Sequence, residues 1–473
     1  MNRREFLIGL GALSVGVAGC GKPARQLAAR HAPYTGPAPT LPDADLRVLH
    51  RTSFGPNRET IQQIQQMGRG AYVDRVLAAN DPEDDALGMQ LVRLEALHMQ
   101  AAELQDQPQH EVISQIQSAS ILRATYGKNP LLERMVSVWT DHFNIDAKKE
   151  YSAYRKPQDE DRVIREHALG KFPDMLLAST QSPAMLVYLD NQLNRRGVPN
   201  ENYARELLEL HSMGVHGGYT QRDILEVARC FTGWTVERRF LHARGQLRFD
   251  PALHDDGAKT VLGVHIPAGG RESDARRVVS ILSNHPATAR NIATKLCRAV
   301  FGVATAEWVA RTAGIYLETG GDIRSMLRPM LMSEDLLTAP PMVKRPMDFL
   351  ISALRCSEAV TDGARPLQQW LRTMGQSPYE WPMPDGYPTD LDAWTGSLLA
   401  RWNFASALCA NGIAGTSVNW RRLGLIDQPQ ELVPTLLGRS RDAARPLDKS
   451  LDLTKAADLN AALCLMSPEF QWR

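Results

Sequence analysis

The clearest structural signal in the chain comes from residues 111–143, which read EVISQIQSASILRATYGKNPLLERMVSVWTDHF. Apolar residues recur at helical spacing in two runs, Glu111 to Tyr126 and Pro130 to Phe143. This period predicts two consecutive helices, each with one apolar face. Pro130 stands at a first-turn position, where a helix tolerates proline because that N–H has no partner within the helix.

Helical spacing continues through the chain after Asp45. Further helices are predicted over Arg58 to Leu77, Asn200 to Met213, Thr220 to Cys230, 286–302, 322–333, 343–359 and 394–411. The first of these is interrupted at Gly68-Arg69-Gly70. Thr220 and Asp223 are close to a capping-box pattern, which indicates a helix start at Thr220.

Strand character is confined to residues 236–264. Within them, Phe249 and Thr260-Val261-Leu262 are the candidates for one short hairpin. The predicted fold class is therefore mainly α. We expect a single large α-helical domain with a short β-hairpin-like insertion, preceded by a signal peptide and a stalk.

The composition excludes several classes of protein. Of 473 residues, 43% are hydrophobic and 23% are charged, as in soluble globular proteins, so collagen, coiled coil and wholesale disorder are excluded. With 54 basic and 53 acidic residues the net charge is +1, which argues against a nucleic-acid partner bound by bulk charge. No Gly-x-Ser-x-Gly, His-Glu-x-x-His, P-loop or dinucleotide motif is present, so the sequence names no common enzyme class.

The N-terminus has the features of an export signal. Arg3-Arg4 precede an apolar run from Ile8 to Ala18, which is shorter than the roughly 20 residues that a membrane-spanning helix needs. The Arg-Arg-x-Phe-Leu pattern resembles a twin-arginine signal. Val17-Ala18-Gly19-Cys20 resembles a lipobox, in which Cys20 is acylated. The alternative is an uncleaved anchor or a chance apolar start.

These features predict three regions. Residues 1–19 form a twin-arginine-type lipoprotein signal peptide, and residues 20–45, rich in proline, form a lipid-anchored flexible stalk. Residues 46–473 form the helical domain. The lipid on Cys20 is expected to hold the protein on the periplasmic face of the inner or outer membrane. The remaining cysteines lie in apolar surroundings and are predicted to be buried, unbridged residues: Cys230, Cys297, Cys356, Cys409 and Cys464.

The richest polar cluster is NENYARELLELH, residues 200–211. On an α-helix, Asn202, Glu206 and Glu209 share one stripe, and Arg205 flanks it. Their oxygen atoms suit a divalent metal such as calcium, magnesium or manganese. The alternative is a solvated acidic face with local Glu–Arg pairs. Because Glu206 and Glu209 point the same way, they are a poor glycosidase pair.

Two histidines beside aspartates are further candidates. His142 follows Asp141, which can orient or charge the imidazole as a base or metal ligand; the alternative is a cap or a packed residue. His254 precedes Asp255 in the strand-like region, on a predicted loop. For this second pair the alternative is ordinary turn chemistry.

Residues 375–388, GQSPYEWPMPDGYP, are dense in aromatic and proline residues, which predicts an extended loop. Tyr379, Trp381 and Tyr387 are either an exposed platform for a sugar or peptide ligand, or a lid that packs over the helices.

Several of these segments, in this order, resemble the bacterial family catalogued as domain-of-unknown-function 1800. The matching motifs include Leu46-Arg51-x-Ser53-Phe54-Gly55, Trp139-x-x-His142-Phe143, Met185-Leu186-x-Tyr188-Leu189-Asp190, Asn200-Glu201-Asn202-x-Ala204-Arg205-Glu206, Phe231-Thr232-Gly233-Trp234, His254-Asp255, Lys344-x-Pro346, Gly375-Gln376-x-Pro378 and Ser467-Pro468-Glu469-Phe470. The resemblance implies one large, mostly helical domain in exported bacterial proteins. It also implies a partner exported protein, because genes of this family often lie beside those of another exported family. Asp141 stands where the family often has asparagine.

The functional hypothesis is an envelope-facing enzyme that carries out metal-assisted or acid–base hydrolysis of an envelope or extracellular substrate. The predicted catalytic residues are Glu206, Glu209, His142, His254, Asp255 and Arg205. The predicted ligands of a divalent metal are Glu206, Glu209, Asn202 and His142. The rival hypothesis is a non-catalytic scaffold or binding lipoprotein, in which the same clusters are buried structural networks.

Overall fold

The structure is a computed structural model of the chain, and it describes residues 36–81, 83–237 and 245–473. Helices account for 59% of the residues, and the described strands form three two-stranded sheets. The prediction of a mainly α fold is therefore confirmed. The predicted signal peptide and Cys20 lie outside the described residues.

The α-helices of the first half share short connections and modest length. They are α1 (Asp43–Thr52), α2 (Arg58–Ala78), α3 (Asp85–Val92), α4 (Ala101–Leu104), α5 (Gln109–Tyr126), α6 (Pro130–His142), α7 (Lys156–Asp159), α8 (Phe172–Thr180), α9 (Pro183–Tyr188), α10 (Asn202–Glu206) and α11 (Gln221–Cys230). Single-turn 3₁₀-helices cover Glu95–Leu97, Ser152–Tyr154 and Asn191–Leu193. Two π-helical segments cover Glu160–Arg165 and Leu207–Ser212.

The second half continues the helical pattern. Its α-helices are α12 (Ser273–Ser283), α13 (Pro286–Phe301), α14 (Ala306–Thr319), α15 (Ile323–Leu331), α16 (Asp335–Thr338), α17 (Pro346–Cys356), α18 (Arg365–Thr373), α19 (Leu398–Cys409), α20 (Leu432–Leu437), α21 (Arg445–Ser450), α22 (Ala457–Met466) and α23 (Pro468–Gln471). The 3₁₀-helices here are Leu391–Ser397 and Pro429–Glu431. No helix in the described ranges combines the length and apolar character needed to cross a membrane.

The buried apolar residues form two main clusters. The larger cluster draws on residues 41–339, and the smaller one mainly on residues 347–470. Phe54, Ile121 and Ala124 belong to the smaller cluster although they precede it by more than 200 positions. The early helices therefore help to build both clusters.

Helix α6 forms for the reason that the sequence suggests. It starts at Pro130 and buries Leu131, Met135 and Trp139, which follow one another at four-residue spacing on one face. The indole Nε1 of Trp139 donates to the carbonyl of Ala168 at 2.9 Å, so this large side chain is buried with its polar atom satisfied.

Other local predictions also hold. Helix α2 bends where the break was expected, because Gly68 has φ 78° inside it. At α11, Thr220 and Asp223 form the reciprocal capping box. The five cysteines after Cys20 are all buried and free, as predicted.

The start of the domain lies slightly earlier than expected. Helix α1 begins at Asp43, within the predicted stalk of residues 20–45. Leu41 is already buried, and its backbone N–H donates to Gly438 at 2.9 Å. The backbone N–H of Ala38 donates to Glu431 at 2.7 Å. Residues 38–45 therefore pack against the domain.

The predicted hairpin-like insertion is present, but it contains two two-stranded sheets and not one. Strands β1 (Trp234–Val236) and β2 (Leu247–Phe249) form one sheet, and β3 (Lys259–Val261) and β4 (Val264–Ile266) form another. Leu262 (φ 50°) and Gly263 (φ 78°) join β3 to β4, and two positive φ angles are typical of a tight hairpin turn. This turn pairs β3 with the residues just after it and not with Phe249.

A third sheet was not predicted. It consists of β5 (Val360–Thr361) and β6 (Thr416–Ser417), which pair antiparallel. Strands of two residues carry no detectable period, so sequence spacing gives no signal for them.

The predicted helix over Asn200 to Met213 is also different in detail. After α10 the chain enters the π-helical segment Leu207–Ser212, in which the N–H of Met213 donates to the carbonyl of Leu208 at 3.0 Å. The Ser212 hydroxyl donates to the carbonyl of Leu207 at 2.6 Å, which occupies an acceptor that the wider turn frees. The stripe predicted from α-helical spacing is therefore distorted after Glu206.

Residues 375–388 form a lid that packs over the helices. Tyr379 and Tyr387 are buried, with their hydroxyls bonded to the Ser120 hydroxyl (2.5 Å) and to the Ser377 carbonyl (2.6 Å). Trp381 is partly exposed. The packing alternative is thus confirmed for both tyrosines, and the exposed platform is not formed by them.

Gly386 is the point of closest approach between this loop and α6. A Cβ atom there would lie 2.1 Å from the carbonyl oxygen of Asp141, and Gly386 has φ 78°. Gly218 has a comparable φ of 89°, but no atom lies within 4 Å of its would-be Cβ. Substitution of Gly386 would therefore cause both a steric clash and backbone strain, whereas substitution of Gly218 would cause backbone strain alone.

We expect Gly386→Ala to lower the free energy of unfolding by about 2 to 4 kcal/mol, because it adds a backbone clash to the cost of a positive φ. Gly218→Ala should cost only about 1 kcal/mol, from the positive φ alone. Urea unfolding of the two variants measures the difference. Equal losses would show that the loop does not press on α6.

Candidate functional site

His142 lies at the end of α6 in a fully buried aromatic cluster. Its ring is 5.5 Å from Trp139, 4.5 Å from Phe143 and 5.8 Å from Phe172, all in edge-on arrangements. Its Nε2 lies 3.2 Å from the carbonyl oxygen of His211. A carbonyl only accepts, so Nε2 carries the hydrogen and Nδ1 presents a lone pair, which has no partner.

His211, in the π-helical segment, is the second buried imidazole. Its ring centre is 6.1 Å from that of His142 and 5.1 Å from that of Phe143, and neither ring nitrogen has a hydrogen-bond partner. Burial, with a smaller effect of Lys295, lowers the pKa of His211 to about 3. Burial also lowers the pKa of His142 well below its usual range. Both rings are therefore neutral at physiological pH.

Lys295, on α13, lies beside this pair. Asn291, one turn earlier on the same helix, donates to the carbonyl of Ser212 at 2.8 Å and so fixes α13 against the π-helical segment. Burial lowers the pKa of Lys295 to about 8, against the opposing effect of Asp141 and Asp385. Within the described part of the chain Lys295 makes no hydrogen bond and no ion pair.

Asp141 does not orient His142, contrary to the expectation. Its carboxylate pairs with Arg345 Nη1 at 2.5 Å, while His142 uses the carbonyl of His211. Consecutive residues on a helix point about 100° apart, so neighbours in sequence face different surroundings.

Glu206 is the least satisfied carboxylate of the predicted set. It is half-buried, and in the described ranges it has neither a hydrogen bond nor an ion pair. Burial, Glu209 and Asp385 raise its pKa, and Arg205 opposes them. Asp385, at the end of the loop 375–388, thus acts on the pKa of both Glu206 and Lys295.

Arg205 and Glu209 take part in surface pairing. Arg205 lies 3.5 Å from Glu209 and 3.3 Å from Glu201, and it donates to Gln221 at 3.0 Å. These contacts match the local Glu–Arg pairing that the sequence left open. Asn202 donates to the backbone carbonyl of Leu189 at 3.2 Å, so its amide nitrogen is occupied.

The predicted metal ligands are not brought together. Across the described ranges no group of three or more histidine, cysteine, aspartate or glutamate residues is positioned to hold a metal ion. Among the predicted ligands, His142 is enclosed by aromatic rings, Glu209 is paired with Arg205, and Asn202 is bonded to the backbone. Equal spacing along a helix is not sufficient when each side chain finds a nearer partner.

His254 and Asp255 belong to a separate network. His254 Nδ1 donates to the Thr232 carbonyl at 2.8 Å, and its Nε2 lies 3.4 Å from Asp274. The fully buried Lys259 lies 2.7 Å from the same Asp274 carboxylate and also binds the carbonyl of Asp255.

Asp255 is in turn held by Arg229 through two bonds of 2.7 and 3.1 Å. Among the described residues no hydrogen bond, ion pair or ring contact links this group to His142 or Glu206. The predicted catalytic set therefore divides into two groups. The division arises because His254 and Asp255 are anchored to the ends of α11 and α12.

The family model described as "Protein of unknown function (DUF1800)" matches residues 47–472. The chain belongs to the DUF1800 family. The resemblance drawn from the motifs is thus confirmed over nearly the whole chain. No curated protein and no solved structure matches the chain.

A buried ionic network of this DUF1800 protein was missed by the sequence reasoning. Lys156 pairs with Asp159 at 2.7 Å and with Glu160 at 3.1 Å, and Glu160 accepts from Thr140 at 2.9 Å. It borders a cavity of about 60 Å³ that reaches Tyr379. Lysine followed by carboxylates at three- and four-residue spacing is the signal that could have revealed it.

A neighbouring ion pair lines the same cavity. Arg165 binds Glu133 through two parallel bonds of 2.7 and 2.8 Å. Because these charges are matched by direct partners, we interpret the network as the wall of the cavity and not as reactive groups.

The Asp274 network gives a stability prediction. Asp274→Asn should lower the free energy of unfolding by about 3 to 5 kcal/mol, because it leaves the buried Lys259 without a counter-charge. Asp255→Asn is the control, since its pair with Arg229 is partly exposed and should cost about 1 kcal/mol. Urea unfolding at pH 7 measures both.

The same network predicts a pH dependence. Burial opposes the ionisation of Asp274, but hydrogen bonds from His254 and Lys259 outweigh it and lower the pKa. A lowered folded-state pKa contributes stability above the unfolded value of about 4, and that stability is lost on acidification. The difference between wild type and Asp274→Asn should therefore shrink below about pH 4. A constant difference would contradict the pairing.

Proposed function

We propose that this DUF1800 protein is an exported, lipid-anchored hydrolase that uses acid–base catalysis on an envelope or extracellular substrate. Its site, the Glu206 site, consists of Glu206, Lys295 and Asp385, with His142 and His211 beside Lys295. The observation that carries the proposal is that Asp385 acts on the pKa of two unpaired groups, the half-buried carboxylate of Glu206, whose pKa is raised, and Lys295, whose pKa burial lowers to about 8. Groups shifted in this way cluster at catalytic sites more often than elsewhere.

The chemistry follows from these two groups. Glu206, as the carboxylate, takes a proton from water, and the water oxygen attacks the electrophilic atom of the substrate. The ammonium of Lys295 stabilises the negative charge that develops there. Protonated Glu206 then gives its proton to the leaving group, so that one water molecule is added across the broken bond. A raised pKa makes the Glu206 carboxylate a stronger base than an ordinary glutamate.

The two histidines support this arrangement by being neutral. Charged imidazoles beside Lys295 would lower its pKa further and empty it of its proton. Burial keeps the pKa of His142 and of His211 low, so both rings are uncharged and do not repel the ammonium of Lys295.

Because the pKa of Glu206 is higher in the folded state than in the unfolded chain, ionisation of Glu206 lowers the free energy of unfolding at alkaline pH. We therefore expect Glu206→Gln to leave the free energy of unfolding unchanged or higher at pH 8, while hydrolysis is lost by about 100-fold or more. Glu209→Gln is the matched control, because it removes a carboxylate that is paired with Arg205. It should retain most of the activity. Chromogenic esters, phosphate esters and glycosides serve as probes.

The lowered pKa of Lys295 predicts how hydrolytic activity depends on pH in the alkaline range. Activity should fall as pH rises through about 8, where Lys295 loses its proton. Lys295→Arg should move this decline to higher pH, because a guanidinium keeps its charge. Lys295→Met should lower activity without an alkaline decline. An unchanged profile in both variants would remove Lys295 from the mechanism.

The proposed location rests on the sequence of the first twenty residues. The buried, unbridged cysteines suit a protein that folds in the reducing cytoplasm before twin-arginine export. Cells that express the full chain should incorporate labelled palmitate into it, and Cys20→Ser should abolish this. Cys230→Ser is the control, because that cysteine is buried in the larger apolar cluster. Labelling that persists in Cys20→Ser would exclude the lipobox.

The second candidate function is a non-catalytic scaffold that works with a partner exported protein. It is favoured by the buried ion pairs at Asp274 and Glu160, in which each lysine already faces a carboxylate. In that case no probe is hydrolysed. Glu206→Gln and Glu209→Gln then differ only in stability or in binding to a partner.

A further inference from the structure

A second pocket, of about 250 Å³, lies at a different place in the chain from the Glu206 site. It is formed by α1, the segment that precedes α17, and the residues around α20 and α23. Its basic lining residues are Arg47, His50, Lys344, Arg439 and Arg473. Among the residues that the structure describes, two acidic ones, Asp43 and Glu469, line the same space. The pocket therefore has a marked excess of positive charge.

Arg473 provides unpartnered buried donors. Its side chain is 7% exposed, and neither Nε nor Nη1 has a hydrogen-bond partner. The nearest carboxylate, Asp348, is 3.7 Å away from Nε and is already bound by Arg134. His50 adds a buried Nδ1 that also has no partner. Buried polar atoms are almost always satisfied in folded proteins, so these atoms are available to hydrogen-bond a ligand.

Lys344 is buried with only a neutral partner. Its Nζ donates to the Ser352 hydroxyl at 2.8 Å and lies 3.6 Å from the centre of the Phe470 ring. Burial lowers the pKa of Lys344 to about 7. The opposing effects of Cys356 and Asp348 do not restore it.

The two acidic residues do not neutralise the pocket. Asp43 is 74% exposed at its side chain and reaches Arg439 at 3.4 Å, on the rim. Glu469 makes no ion pair with the basic residues among the described part of the chain. Of the three guanidinium groups around the space, Arg439 pairs with the exposed Asp43, Arg473 lies 3.7 Å from Asp348, and Arg47 donates to the neutral carbonyl of Ala339.

We propose that this pocket binds a phosphate group carried by a small ester, either a soluble phosphoester or a phospholipid headgroup. Guanidinium groups bind phosphate oxygens through paired hydrogen bonds, and Lys344 adds a point charge. The volume exceeds that of one phosphate and leaves room for the esterified group. Both sources present the same anion, and the experiment distinguishes them.

Anion binding is coupled to proton uptake. Burial, Lys344, Arg51, Arg439 and Arg47 all lower the pKa of His50. A bound dianion opposes the cationic effects and favours the charged form of both His50 and Lys344. At pH 8, phosphate binding should therefore take up protons.

The test is calorimetric titration of the full chain with inorganic phosphate at pH 8, in two buffers of different ionisation enthalpy. We expect binding with proton uptake, and roughly tenfold weaker binding in Arg439→Gln and in Arg473→Gln. Arg439→Gln changes a rim residue and should not affect folding. Arg276→Gln, an exposed arginine outside the pocket, is the control and should bind like wild type.

Vesicles separate the two sources. Binding to vesicles of phosphatidylglycerol, weaker in Arg439→Gln than in Arg276→Gln, identifies a lipid headgroup. Phosphate binding without such a difference on vesicles identifies a soluble ester. The proposal is overturned if wild type binds neither probe, or if Arg439→Gln and Arg473→Gln bind as wild type does. Lys344→Met should retain part of the binding but lose most of the proton uptake; full uptake would remove Lys344 from the site.

Discussion

The buried chain of charges between α6 and α17 holds the two apolar clusters together. Arg134 and Asp141, on α6, lie next to the larger cluster, and they bind Asp348 and Arg345 at the start of α17. Arg345 also donates its backbone N–H to Asp348 at 3.2 Å. Removal of one partner would leave a buried charge unpaired, at a cost of about 3 to 5 kcal/mol. These ion pairs to α17 fix the position of the end of α6, where His142 lies.

The sequence was sufficient for the helices and not for the strand pairing. A helix such as α6 is specified by its own residues, since Leu131, Met135 and Trp139 share a face at fixed spacing. The pairing partner of Phe249 depends instead on the turns between the strands. The tight turn at Leu262-Gly263 pairs β3 with β4, so that Phe249 in β2 pairs with β1. The π-helical turn after Glu206 is equally invisible, because a single wide turn inside a run of helical residues has no sequence signal of its own.

For the candidate site, the sequence indicated which residues could take part in chemistry, but not which other side chains they would contact. His142 and Glu206 were singled out from the sequence, and both lie in unusual surroundings, one enclosed by rings and the other without a partner. His211 and Asp385 lie in the quoted segments 200–211 and 375–388, but they were not named as site residues, because spacing does not show which side chains they face. Lys295 was missed because it comes from a distant helix. His254 was placed with them only because its chemistry is similar, and Asp274 fixes it elsewhere.

Three buried lysines and the partly buried Lys295 show how structural and functional charges can be told apart in this protein. Lys156 and Lys259 each face a carboxylate at 2.7 Å, so each ion pair is complete without any ligand. Lys295 has no such partner and Lys344 has only a hydroxyl, and burial lowers the pKa of both toward neutrality. A desolvated cation without a counter-ion costs stability that packing alone does not recover. A protein keeps such a destabilising lysine where a bound anion, or the negative charge that develops during a reaction, supplies the missing counter-charge.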